Sequence, residues 1–143
     1  MRALLDVNVL IALLDAGHAS HALAMDWLVG CRGDGWASCP ITQNGCIRIM
    51  SSPGYPDTLP AAMVAGRLEE AASSTEHEFW ACDMSLLDSQ AFDWSYLLGH
   101  RQITDMYLLA LAVHNTGRFV TFDRRIEPKA VKGAREDHLF ILG

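Results

Sequence analysis

No stretch of this sequence stays apolar long enough to cross a bilayer. The longest such runs, VNVLIALL and MYLLALAV, fall far short of the roughly 20 residues a spanning helix needs. Positive charge is also scarce: 11 Lys and Arg stand against 17 Asp and Glu, for a formal net charge of −6. That balance excludes a protein that coats nucleic acid by bulk electrostatics. Cysteine is limited to Cys31, Cys39, Cys46 and Cys82, neither closely paired nor set at zinc-ribbon spacing, so a reduced cytoplasmic chain is expected. Arg2 precedes Ala-Leu-Leu-Asp with no small-residue cleavage motif after it, and no signal peptide is expected. A glycine-rich phosphate loop is missing, as is an Asp-x-Asp after the first expected strand, which argues against a small-phosphate hydrolase. There is no internal repeat and no low-complexity segment.

What is present is enough for one ordinary core. The chain has 143 residues, half of them hydrophobic, and reads as a single domain over 1–143. Charge is unevenly spread. Between Asp57 and Asp93 lie eight acids and one base, Arg67, whereas between Arg118 and Arg135 six bases face only Asp123 and Glu127. Both blocks fit solvated faces. They also fit an acidic flank for a basic partner and a positive tract for an anionic substrate.

Apolar spacing and turn residues give the order of elements. RALL reads as a strand, VNVLIALL as a helix, and HASHALAMDWLVG as a second helix begun at Ala19 or Ser20 and ended by Gly30. GWASC is a second strand, and ITQNGCIRIM a helix weakened at Gly45 by up to about 1 kcal/mol. SSPGYPDTLP is the strongest break, with three prolines and a glycine. AAMVAGRLEEAA follows as a helix and HEFWAC as a strand, and the stretch LLDSQAFDWSYLLG is mixed. TDMYLLALAVHNTG is a helix capped by Thr104 or Asp105 and closed by Gly117, with RFVTF and HLFILG as the last strands. Strands alternating with helices imply a mostly parallel sheet covered on both faces, a three-layer α/β/α sandwich.

Asp6 interrupts an apolar run, where a carboxylate is costly unless it is paired, hydrogen-bonded or coordinated. One reading is a helix cap; the other is a cluster with Asp105, at the start of the long helix, and Asp123, at the end of a strand. Open α/β sheets bind ligands outside their strand ends, so the three acids can meet in one crevice. Converging carboxylates repel unless a cation neutralises them, and a set of oxygen ligands suits Mg²⁺ or Mn²⁺. Such an ion suits phosphoryl chemistry. Asn8 and Thr121 stand near the first and third acids, each serving either a ligand or local structure. Arg101, Arg124 and Arg125 flank the acids and offer guanidinium groups to phosphate, or else to ordinary ion pairs or solvent. Arg48 approaches from another helix.

Taken together, LLDVNVLIALL, TDMYLLALA and RFVTFDRRI resemble the PIN-domain ribonucleases of the VapC toxin family, a resemblance that extends over essentially the whole chain. It implies a PIN-like fold and a metal-dependent endoribonuclease that cuts transfer or ribosomal RNA, with Asp6, Asp105 and Asp123 as catalytic metal ligands. It further implies a homodimer restrained by a small VapB-like antitoxin, with operator DNA reached only through that antitoxin. The family's usual glutamate on the third helix is missing, its place taken by Gly45 or, one residue earlier, by Asn44. Asn44 retains a carbonyl oxygen for metal or water but carries no charge, which leaves open a catalytically weak RNA-binding or antitoxin-binding module. No histidine is spaced to make Cys46 a nucleophile. Trp80, Trp94, Tyr96 and Tyr107 either stack on RNA or pack in the core.

Overall fold

The computed structural model describes the backbone of residues 1–143 and every side chain except that of Arg32. Five strands form one sheet: β1 (Ala3–Leu5), β2 (Trp36–Ser38), β3 (His77–Phe79), β4 (Arg118–Thr121) and β5 (Leu139–Ile141). Their spatial order is β3-β2-β1-β4-β5 and every pairing is parallel. Five helices accompany them: α1 (Val7–Leu14), α2 (His21–Gly30), α3 (Pro40–Met50), α4 (Ala61–Ala72) and α5 (Ile103–His114). None of the helices is long and apolar enough to cross a membrane.

Alternation along the central strands separates two cores. Leu4, Ala37 and Phe119 face a cluster with Leu108 and Leu111 of α5. Their neighbours Leu5, Trp36 and Val120 face the other side, against Val9 and Leu10 of α1 and Val64 and Leu68 of α4. The sheet is therefore sandwiched between helices, as the alternation of strands and helices predicts. Leu4, Leu5, Phe119 and Val120 are fully buried, and each contributes about 1.5–3 kcal/mol of apolar transfer energy. Helix α5 is buried without a break from Met106 to Ala112. It lies between the sheet and the Trp80, Phe92 and Leu97 side chains of the long segment before it, which accounts for its nearly continuous apolar sequence.

Some boundaries differ from the expected ones. HEFWAC pairs only over His77–Phe79, and the mixed stretch forms turns and a short 3₁₀ segment at Trp94–Tyr96. Helix α2 begins at His21, with Ser20 at its cap position but making no side-chain cap bond. The larger correction concerns α5. It starts at Ile103, after a 3₁₀ turn at His100–Gln102, and Gln102 holds the cap position without a side-chain bond. Thr104 and Asp105 thus lie inside the first turn and neither caps the helix. A carboxylate there faces the positive end of the helix dipole.

The topology makes the crevice. From β1 the chain moves outward through β2 and β3 on one side, then returns to lay β4 and β5 on the other. The strand order reverses between β1 and β4, and ligands of open α/β sheets bind beyond the carboxyl ends at such a point.

Candidate active site

Asp6 is the first residue beyond β1. Its backbone N–H donates to the Val120 carbonyl at 2.9 Å, which extends the β1–β4 register past the strand. Its side chain caps α1: Oδ1 accepts from the Val7 N–H at 2.7 Å. The capping reading of Asp6 therefore holds, and its other oxygen is also engaged: Oδ2 accepts a 2.5 Å hydrogen bond from Thr121 Oγ1. Thr121 Oγ1 in turn accepts from the Asp123 backbone N–H at 3.1 Å. One fully buried hydroxyl thereby ties the end of β1 to the turn after β4.

Burial raises the Asp6 carboxyl above its ordinary range; the bonds from Thr121 and Val7 oppose that rise, and the charge of Asp123 adds to it. Asp105 is pushed up to about 7, first by burial and then by the charges of Asp6 and Asp123, with Arg125 opposing. The three acids share one electrostatic field even though they come from separate elements. Asp123 behaves differently. Its Oδ1 accepts from the Arg125 backbone N–H at 2.8 Å, and the Arg125 guanidinium pairs with Oδ1 at 3.2 Å and approaches Oδ2 at 3.4 Å. These bonds hold Asp123 below the usual carboxylate range. Among the described residues no group of three or more His, Cys, Asp or Glu side chains is placed to hold a metal ion.

The neighbouring polar groups fall into two sets. Asn8 Oδ1 is buried with no hydrogen-bond partner, and a bound ion or water satisfies an acceptor of this kind. Arg125 faces the acids, whereas Arg124 donates to the Gly143 carbonyl at the end of the chain. The side-by-side arginines are therefore split, and only Arg125 is at the cluster. Arg101 is exposed on the turn before α5, where no contact ties it to the acids.

Across the crevice, a cleft of about 450 Å³ is lined by Val7, Asn44, Gly45, Arg48, Cys82 and Thr104, together with Pro40 and Ile41. Val7 and Thr104 adjoin Asp6 and Asp105 in sequence. Asn44 and Arg48 lie one turn apart on α3 and share its exposed face. Arg48, on a different helix from Asp105, thus lines the cleft that Arg124 does not reach. At Gly45 a Cβ would stand 2.5 Å from Val7 Cγ2, so glycine is what lets α3 cross α1 this closely. The usual glutamate has no room here with the helices so placed. All four cysteines are free, and burial raises the Cys46 thiol to about 11, which suits a packed thiol rather than a nucleophile.

Residues 3–132 match the PIN domain family. The chain is 52% identical over 142 residues to the ribonuclease VapC44 of Mycobacterium tuberculosis, covering 99% of this chain and 100% of that one. Among solved structures it is similar to VapC20 of Mycobacterium tuberculosis, described as a sarcin-ricin loop cleaving toxin, with a TM-score of 0.57 and 16% identity over 81% of this chain and 85% of that one. It is also similar to the VapBC2 structure from Rickettsia felis bound to a promoter DNA fragment, with a TM-score of 0.56 and 14% identity over 99% and 97% of the two chains. At those identities the two structures bear on the fold alone. The full-length likeness to VapC44, the match to the family and the wired acids at the strand ends lead to one conclusion: this chain belongs to the PIN domain family, among its VapC ribonucleases.

Proposed function

We propose that the chain is a divalent-metal-dependent endoribonuclease toxin that cuts structured cellular RNA, transfer or ribosomal, and so halts translation until a cognate VapB-like antitoxin binds it. The observation that carries this reading is the Thr121 hydroxyl bridging Asp6 and the Asp123 backbone, with Asp105 within the field of both acids. Asp6, Asp105 and Asp123 would hold Mg²⁺, or Mn²⁺ in its place, and the hard oxygen donors and the orphaned Asn8 carbonyl fit such an ion. When bound, the ion supplies Lewis-acid polarisation of the phosphodiester and lowers the pKa of water. Asp123 leaves Arg125 to join the other acids, which frees the guanidinium for a phosphate oxygen. Arg48 and Asn44 line the wall along which the RNA backbone runs.

An apolar cavity of about 350 Å³ between α1, α2 and α4, lined by Leu10, Leu14, Met25 and Leu68 and edged by Glu76, supports an antitoxin that brings apolar side chains within a basic segment. The toxin itself is expected to be a homodimer and to meet operator DNA only through the antitoxin. A second reading, a catalytically weak RNA-binding or antitoxin-binding module, is favoured by Gly45, which presents no acid where the family usually has one.

One set of measurements separates the two. Purified chain is incubated with transfer and ribosomal RNA across a Mg²⁺ or Mn²⁺ titration, with chelator and Asp105→Asn controls, while Mn²⁺ binding is followed independently by its paramagnetic resonance. Cleavage that requires the metal and Asp105 supports the enzyme. Mn²⁺ binding without cleavage of any RNA supports the module.

A further inference from the structure

A second polar and aromatic cluster lies on the segment before α5. Trp94 and Tyr96 each expose 45% of their surface on the short 3₁₀ segment before α5. Large aromatics at that exposure usually sit on mobile loops, but this segment is clamped. Asp93 Oδ1 accepts from the Ser95 N–H at 3.1 Å and the Ser95 hydroxyl at 2.6 Å. The Asp93 N–H donates to the Ala130 carbonyl at 2.9 Å, and Phe92 bridges to Val131. Behind Trp94 the buried Phe92 ring lies 6.4 Å away and is itself stacked on Tyr107 of α5.

The position and charge of these rings suit nucleotides. Tyr96 borders a shallow recess shared with Met106 and Ile126, the residues after Asp105 and Arg125. Lys129 Nζ stands 5.9 Å from the Tyr96 ring centre, within the basic tract between Arg118 and Arg135. A ring held in place next to a cation has what an unpaired base and its phosphate require: a face to stack on and a counter-charge. RNA is read through unpaired bases splayed onto aromatic side chains more readily than through its helical grooves.

We infer that Trp94 and Tyr96, with Lys129 beside them, form a base-stacking subsite for unpaired RNA nucleotides next to the acid cluster. The inference rests on the ribonuclease reading and assigns the substrate's unpaired loop, rather than its paired stem, to this face. Stacking selects for single-stranded character without selecting a base, so any sequence preference arises elsewhere in the crevice.

Binding, measured in chelator so that nothing is cut, tests it. The probes are a fluorescein-labelled RNA hairpin with a mixed-sequence loop and a fully paired RNA of the same length, followed by anisotropy. Wild type is expected to favour the hairpin. Tyr96→Leu and Trp94→Leu, which keep apolar bulk but remove the π face, should each weaken hairpin binding by roughly 5- to 150-fold, the range for losing one stacked base. Duplex binding should be nearly unchanged, and Tyr96→Phe should bind as wild type. Lys129→Met should weaken both RNAs and lower the salt slope by about one. Circular dichroism and melting confirm the fold of each variant. Leucine variants that fold and bind the hairpin as wild type does would overturn the subsite and leave the nuclease reading intact. Loss of binding that follows dissociation of a dimer in light scattering would overturn it too, by assigning the face to contact between copies. Wild type that binds neither RNA, with or without Mg²⁺, would overturn the nuclease reading and the subsite together.

Discussion

On the β4 side of the crevice Asp6, Thr121 and Asp123 hold one another in fixed hydrogen bonds, whereas on the α3 side Gly45 presents no side chain and Asn44 and Arg48 stand exposed. The first wall ties the Asp6 carboxylate to the Asp123 backbone through one buried hydroxyl. The second is a cleft edged by exposed polar groups. A preorganised wall lowers the reorganisation that a charged transition state demands, and an open wall admits a bulky polyanion. The comparison predicts that substitutions on the β4 side act on chemistry and those on the α3 side on affinity.

The largest effect should come from Asp105→Asn. It keeps the side chain's size and, because Asp105 does not cap α5, it breaks no cap bond. Loss of the charge should lower cleavage by more than about a hundredfold, beyond the 10- to 100-fold typical of losing an outer partner of a metal ligand. The assay compares equal folded amounts at saturating RNA across a Mg²⁺ titration. Full activity in the variant would make Asp105 structural.

The same substitution should have the opposite sign in stability. With the Asp105 carboxyl raised to about 7 in the metal-free fold and near 3.9 when unfolded, the folded state binds more protons between those values. Stability of the metal-free protein therefore falls as pH rises from about 4 through 7, and the penalty is complete above 7. Asp105→Asn removes that penalty. Denaturant melts in chelator should find the variant more stable than wild type at pH 8, by on the order of a few kcal/mol, and the gap should close toward pH 4. A constant gap would assign the effect to packing instead.

Thr121→Val comes next on the β4 side. Valine fills the same volume but cannot donate to Asp6 Oδ2 or accept from the Asp123 N–H. Losing a hydrogen bond to a buried charge costs roughly 1.5–3 kcal/mol, so unfolding midpoints should drop, and cleavage should fall about 10- to 100-fold as the two strand ends lose register. A folded variant with wild-type activity would show that the backbone alone sets the register.

The α3 wall allows a sharper division. Gly45→Ala places a methyl 2.5 Å from Val7 Cγ2 and should cost about 1–3 kcal/mol by overpacking. Asn44→Glu puts a carboxylate on the exposed neighbouring position, where no such clash awaits it, and should tighten Mn²⁺ binding several-fold without loss of stability. Tightening would place the missing acid's role within reach of position 44. Weaker binding would mean that the open wall serves RNA alone.

How much of this was legible in the sequence follows the same division. Asp6 could be placed at the end of β1 and the start of α1 because an apolar triplet, an acid and an octet apolar but for Asn8 leave little choice of register. The acid after RFVTF was legible for the same reason. The start of α5 was misplaced by a turn, because Thr104-Asp105 has the chemistry of a cap while the chain enters the helix through a 3₁₀ turn that its sequence does not announce. The contact between Gly45 and Val7 depends on how closely two helices cross, a tertiary quantity that neither helix encodes alone.

The adjacent arginines give the smallest effect and the narrowest test. In sequence Arg124 and Arg125 are equivalent candidates for phosphate, but the turn in which Asp123 Oδ1 accepts from the Arg125 N–H separates their side chains. Arg125 turns to Asp123, and Arg124 to the Gly143 carbonyl. Arg125 is largely exposed, so its ion pair contributes little to stability, and its value lies in the phosphate it can meet once Asp123 turns away. Arg125→Gln should weaken RNA binding a few-fold and reduce the salt slope by about one, as expected for a single lost phosphate contact. Arg124→Gln should leave the slope unchanged and alter only the anchoring of the chain's end. Equal slopes for the two variants would mean that RNA reaches both arginines and that the Gly143 contact yields to it. A flatter slope for Arg124→Gln alone would reverse the assignment and move the path of the RNA backbone to the β5 edge of the sheet.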